Sequence, residues 1–495
     1  MFGGNQYETP FFNAILQYAQ KGIIPFHTPG HKEGKGVHDN LRSFVGQNAF
    51  RIDLSELEAF EYGHNPEEVL HEAQKLAAEA FGADYTFFLV NGTTSGIETM
   101  IMAAIRPGDK LIIPRNVHKS IIGGMILSGA RPVYLKPEVN PELGIAMGVE
   151  APDYTAALEE HPDARAILVI NPNYYGLCGD IERTVETGHA HGQVVLVDEA
   201  HGPHLRFHPD LPLSALEAGA DLVAQSTHKI LGSMTQSSML HVKSEQVRVA
   251  RVKTMLRLIQ STSPSYLLLA SLDVARMQMA TQGEQLLTRA IELAEQARER
   301  INRIKGLYCF GKEIIGQHGV YNVDPTKLTI SVKGIGFTGM MAETILRNRY
   351  GIQVELSDLY NVLLIISIGD TQEDTDRVVA ALEDLATHQV GIGDHVKRLA
   401  EVTYKLRPPD LPKQFMVPRD AIFASLRAIP FKEAAGQVSA EILAPYPPGI
   451  PVVCPGEEIT REIIDYLELV KEVGIYIQGP EDYRLEKIKV VDQFI

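Results

Sequence analysis

The sequence predicts an α/β protein with a mostly parallel sheet covered by helices on both faces, followed by two smaller α+β units. Three observations carry this. From about residue 65 to 245, short β-rich runs alternate with helical patterns. The runs are apolar on both faces, as strands covered from above and below must be. The length, 495 residues, calls for two or three domains rather than one.

The strand candidates are TFFLV (86–90), KLIIP (110–114), PVYL (132–135), AILVIN (166–171), VVLVD (194–198) and DLVAQ (221–225). SGIETMIMAAIR (95–106) and HKSIIGGMILSG (118–129) are helices between them. A long amphipathic helix is predicted over 282–306, with Leu286, Ala290, Leu293, Ala297, Ile301 and Ile304 on its apolar face. KLTISV (327–332), IQVEL (352–356), VLLIISIG (362–369) and a helix over 372–388 make a second unit. RPPDLPKQ (407–414) is a linker, and PYPPGIPVVCPGEEIT (445–460) a fixed loop in the last unit. The expected domains are 1–280, 281–405 and 406–495.

Composition narrows the function. Apolar residues make up 45% of the chain, enough for a sizeable core, and the net charge is −16. An acidic balance argues against nucleic acid and anionic membrane surfaces as partners. The three cysteines, Cys178, Cys309 and Cys454, are scattered, with no spacing suited to zinc, so reduced thiols and no metal are expected. The first residues lack a basic stretch leading into an apolar core, and no apolar run is long enough to span a bilayer. A cytoplasmic location follows as an expectation.

In a parallel sheet the chemistry gathers where the strands end, so the residues after each run matter most. TFFLV leads into NGTTSG (91–96), where Gly92, Thr93, Thr94 and Ser95 open a helix and form an anion cup. An ordinary helix cap is the plainer alternative. KLIIP leads into RNVHKS (115–120), whose His118 offers a flat imidazole. VVLVD ends in Asp198, a carboxylate closing an apolar strand, which is costly unless paired. Ala200 and His201 follow. DLVAQ leads into STHK, where Lys229 sits among hydroxyls and apolar side chains, with Ser226 and His228 able to donate to a phosphate. A desolvated lysine amine is a nucleophile that forms Schiff bases. There is no P-loop and no dinucleotide fingerprint. Anion cup, stacking imidazole, buried aspartate and nucleophilic lysine are together what pyridoxal 5'-phosphate requires.

These residues also carry a resemblance. PFHTPGHKEG (25–34), NGTTSG, RNVHKS, NPNYYG (171–176), VDEAHG, STHKILGSMTQSSML, TSPSYLLLASLD (262–273) and PYPPGIPVVCPGEEIT run over nearly the whole chain. Together they resemble the ornithine/lysine/arginine decarboxylases, in their short bacterial form. That resemblance implies the type-I, aspartate aminotransferase-like fold. It implies that Lys229 anchors the cofactor, Asp198 pairs with its ring nitrogen, His118 stacks on the ring, and Ala200 lies in the cofactor site. Thr93, Thr94, Ser226 and His228 would hold the phosphate, with Thr262 reaching it from the other subunit of a homodimer. Higher oligomers are left open.

His201, beside Lys229, would help deliver a proton, and Glu355 and Asp358 would meet the basic end of the substrate. The short form resembles arginine decarboxylases first, with lysine and ornithine as alternative substrates. Decarboxylated arginine is agmatine, which leads into polyamine synthesis. Two positions depart from the family's pattern: Asn173 stands where threonine is usual, and His201 where longer members carry tryptophan. An aminotransferase or lyase on the same fold, or a non-catalytic regulator, are the rival readings. The first lacks YPPGIP…PGE, and the second usually loses the lysine or the aspartate.

Overall fold

The computed structural model describes residues 4–54, 66–387, 409–446 and 449–492. The expected boundary at 405/406, the start of the 407–414 linker, and Pro447 and Pro448 of the last loop lie outside the described residues.

Seven strands form the main sheet: β1 Tyr85–Leu89, β2 Lys110–Pro114, β3 Arg131–Leu135, β4 Ala164–Ile170, β5 Val194–Asp198, β6 Leu222–Gln225 and β7 Ser238–Val242. Their spatial order is β1-β7-β6-β5-β4-β2-β3. β2 runs parallel to β3 and β4, and β5 parallel to β6. β7 runs antiparallel to both β6 and β1. The expected strands match these to within two residues at each end, because a strand buried on both faces writes its length into an unbroken apolar run. β7 had no such prediction: Ser238 and His241 interrupt its apolar residues, yet all five of its residues are buried.

Contacts divide the chain into two compact units, Met1–Ala103 with Leu196–Thr288, and Ala104–Val195 with Arg289–Ile495. In the first, the helix Pro10–Gln20 is held by the buried Asp273, which accepts the Phe11 N–H at 3.0 Å. The fully buried Arg276 donates to the carbonyls of Gln6 and Glu8 and to Asp273.

In the second, Lys327–Ser331 and Asn361–Ile365 pair at the centre of a four-stranded antiparallel sheet. Leu328, Ile330, Val362 and Leu364 pack there against Ala290, Leu293, Ala297 and Ile301. Of IQVEL, only Leu356 is strand, in the short Leu356–Ser357. The rest follows Gly351, whose positive φ ends the preceding helix. The C-terminal part packs Ile463, Leu467 and Val470 of the helix Arg461–Glu472 on Ile477, Ile488 and Val490.

The long helix spans Tyr266–Asn302, beginning 16 residues before the predicted start. Periodicity found only the half with an exposed polar face; none of residues 266–281 is exposed, and the charged Asp273 and Arg276 among them are buried, so no solvent-facing stripe marks that half. The expected boundary near residue 280 falls inside this helix.

Candidate active site

The site is built where β1, β5 and β6 end and β7 begins. The chain leaves β1 through Gly92, whose φ is +69°. A Cβ there would meet nothing within 4 Å, so it is the left-handed turn that calls for glycine. The helix Gly92–Ala104 follows, and the first-turn N–H groups of a helix lack acceptors within it. Thr93 is buried and Thr94 exposed. The Thr93 hydroxyl bonds to Ser226 and lies 3.1 Å from the Ser238 hydroxyl. Three hydroxyls from distant parts of the chain thus meet at one helix N-terminus. Ser238 had been noted in the sequence only as one of several hydroxyls near Lys229.

Asp198 is the last residue of β5 and is buried. Among the described residues its carboxylate accepts from one donor, the Ala200 N–H at 3.1 Å. Burial pushes its pKa above the ordinary range, and the nearby Lys229 charge and the Ala200 N–H pull it back down.

Lys229 lies in the short helix Thr227–Ile230 after β6 and is half-buried. Its Nζ is 2.9 Å from Nε2 of the buried His201. An amine in contact with an imidazole has a neighbour able to give or take its proton. His228 turns Nδ1 to the Ser237 carbonyl at 2.8 Å; a carbonyl only accepts, so that nitrogen carries a proton.

The remaining predicted residues stand as follows. His118 follows β2 and caps the helix Lys119–Ser128, its Nδ1 accepting the Ser120 N–H at 3.2 Å. Thr262 is exposed between the helices Val249–Ile259 and Tyr266–Asn302. Glu355 is exposed.

Asp358 is different. It is buried and accepts from the Tyr360 and Asn361 N–H groups, the Asn361 amide and the Tyr175 hydroxyl, all within 3.0 Å. A carboxylate so fully engaged is a structural brace with nothing left for a substrate cation. Asn173 is likewise structural. Its amide donates to the Met147 carbonyl at 2.9 Å, and its oxygen accepts the Tyr175 and Leu177 N–H groups. A threonine would offer one oxygen in place of the separate amide nitrogen and oxygen that these bonds use.

The segment after Pro451 is pinned from β2. Buried Arg115 donates to the Pro451 carbonyl at 3.0 Å, to the Val452 carbonyl at 2.9 Å and to both oxygens of Glu457. No disulfide joins the cysteines, all three of which are buried. Among the described residues no group of three or more acidic, histidine or cysteine side chains could hold a metal ion, and no helix is long and apolar enough to cross a membrane.

The chain was compared with known proteins. Residues 9–374 match the Orn/Lys/Arg decarboxylase major domain, and residues 398–479 the C-terminal domain of the same family. The chain belongs to the Orn/Lys/Arg decarboxylase family. The decarboxylase is 48% identical over 489 residues to an arginine decarboxylase of Bacillus subtilis (strain 168), covering 99% of each chain. It is 46% identical over 494 residues to that of Bacillus anthracis, covering 100% of this chain and 99% of the relative. The lysine decarboxylase LdcF of Francisella novicida superposes with a TM-score of 0.86 at 25% identity, over 98% of this decarboxylase and 81% of LdcF. These findings bear out the family and the α/β fold expected from the motifs.

The residues fit the cofactor that this family implies. Asp198 is a buried carboxylate that, among the described residues, accepts from one backbone donor and so has acceptor capacity left for a charged one. The Thr93, Ser226 and Ser238 hydroxyls sit at a helix N-terminus that favours an anion.

Proposed function

We propose that this decarboxylase removes the α-carboxylate of L-arginine, giving agmatine and CO₂, with pyridoxal 5'-phosphate as cofactor. The observation that carries the reading is the Lys229 amine, 2.9 Å from His201 and close to the under-satisfied Asp198. When bound, pyridoxal phosphate supplies an electron sink for the pair left at Cα as CO₂ departs.

Each side chain then has a task. Lys229 would anchor the cofactor through its amine. Asp198 keeps a proton on the ring nitrogen; its burial makes that pairing strong. Thr93, Thr94, Ser226 and His228 hold the phosphate. His118 stacks on the ring, with its cap to Ser120 fixing the imidazole plane. Lys229, relayed by His201, returns a proton to Cα. Glu355 meets the guanidinium of the substrate. Thr262, exposed within one chain, completes the phosphate site of a partner subunit in a homodimer. Agmatine places the product in polyamine synthesis, in the cytoplasm.

The arginine assignment is supported by relatives named arginine decarboxylases at 46–48% identity across the full chain. Lysine is the second reading, favoured by the likeness to LdcF. Purified protein with pyridoxal phosphate is offered arginine, lysine and ornithine separately, and the amines are measured by mass spectrometry. Agmatine is expected to dominate. Cadaverine or putrescine in its place overturns the substrate, and no amine from any of the three overturns the function.

A further inference from the structure

Behind the candidate site runs a polar structure that the proposed reaction does not use. Thr86, Glu199, Gln225 and His241 are all buried, Glu199 and His241 completely. They form one hydrogen-bonded chain across neighbouring strands. Thr86 Oγ1 is 2.8 Å from His241 Nδ1, and His241 Nε2 is 3.0 Å from Gln225 Oε1. Gln225 Nε2 donates to Glu199 Oε2 at 2.7 Å, and the Ala215 N–H donates to Glu199 Oε1 at 2.7 Å. Phe81 stacks on the imidazole with centroids 4.8 Å apart.

The same strands deliver the site. Asp198 precedes Glu199, Ser226 follows Gln225, Ser238 opens the strand of His241, and Thr93 comes shortly after β1. The chain therefore ties together the strands whose ends must stay aligned.

Its direction follows from chemistry. A backbone N–H only donates, so Glu199 Oε1 accepts. With Glu199 ionised, Gln225 donates through its nitrogen and accepts through its oxygen. His241 must then carry its proton on Nε2 and accept the Thr86 hydroxyl at Nδ1. Burial pushes the His241 pKa down to about 3, so the ring is neutral. Burial also pushes Glu199 up to about 8, opposed by its bonds to Ala215 and Gln225 and assisted by the charges of Glu217 and Asp198. A buried polar chain of this kind rigidifies only when every member is satisfied.

We infer that Glu199, when ionised, is a positioning residue for Asp198, acting through a chain to Thr86 whose direction of donation is fixed by a single tautomer of His241. Besides its side-chain bonds, its N–H donates to the Ala224 carbonyl at 3.0 Å. The residue that follows β5 is thus held at three points, directly beside Asp198. The inference rests on the role proposed for Asp198.

The test uses the holoenzyme, Glu199→Gln and the exchange Glu199→Gln/Gln225→Glu. In the single variant two amide nitrogens would face each other. Flipping Gln225 relieves the clash, but aims its nitrogen at His241 and moves the imidazole proton to Nδ1. The exchange restores the original direction. Solid-state ¹⁵N–¹³C spectra of histidine-labelled protein near pH 9, where Glu199 is ionised, report the tautomer, with the His241 signal assigned by its loss in His241→Gln. Expected at that pH are Nε2–H in wild type and exchange, Nδ1–H in Glu199→Gln, and, measured near pH 9 as well, a kcat about tenfold lower in Glu199→Gln with KM little changed, largely recovered in the exchange.

With cofactor bound and amine formed, one tautomer throughout, or an unchanged kcat in Glu199→Gln, overturns the inference alone. Wild type that takes up no pyridoxal phosphate overturns the proposed function as well. If Glu199→Gln fails to fold, the exchange decides: Nδ1–H there overturns the inference.

Discussion

Asp198 and Glu457 are both buried carboxylates, in two different regions of the molecule, and they are treated in opposite ways. Glu457, in the C-terminal segment, receives two guanidinium N–H groups of Arg115 and the Cys454 N–H. Asp198, at a strand end, receives one backbone N–H, and burial leaves its proton affinity raised. A buried carboxylate that only braces a fold is saturated, as Glu457 is. On the function proposed here, Asp198 is short of donors because the cofactor's ring nitrogen would supply one.

The largest effect that follows is on turnover. Asp198→Ala is expected to lower kcat by about a thousandfold or more, while unfolding free energy stays within about 1 kcal/mol of wild type. Steady-state kinetics beside denaturant unfolding checks both parts; a large stability loss with near-normal turnover would reverse the contrast.

Next comes Glu457→Ala, which strands the Arg115 charge in a dry site. It is expected to cost about 3–5 kcal/mol of stability, read from the same unfolding curves. A cost near zero would mean that the segment holds without its ion pair.

The smallest effect concerns pH. His241 is buried neutral, with a folded pKa near 3 against 6.5 when exposed. The unfolded chain therefore binds the extra proton first, and the stability present above the unfolded value is lost as pH falls. By pH 4 the loss is about 3 kcal/mol. His241→Gln, which cannot titrate, is expected to lose less stability than wild type between pH 7 and pH 4, measured as the change in Tm. Equal losses would remove His241 from the acid limb.

The candidate site was legible in the sequence to the extent that it is local. Asp198 closes one apolar run and Lys229 comes four residues after another, and such runs mark strand ends without any knowledge of pairing. What joins residues far apart was not legible. Thr86 and His241 meet across 155 residues, and no window of sequence shows that. Glu199 stood in full view in DEAHG, but only the structure supplies Gln225 and Ala215 as its donors. Asp358 misled for the same reason. An acidic residue beside Glu355 looks available until Tyr175, 183 residues away, is seen bonded to it. The fold shows the same division: six of the seven strands of the main sheet were read closely, while the first half of the helix Tyr266–Asn302, which buries Asp273 and Arg276, carried no stripe to read.

The account turns on Lys229 as the amine that holds pyridoxal phosphate. Holoenzyme would be reduced with borohydride, digested and analysed by tandem mass spectrometry. The account predicts a phosphopyridoxyl group on Lys229 and on no other lysine. The group on a different lysine, or none despite bound cofactor, would contradict it.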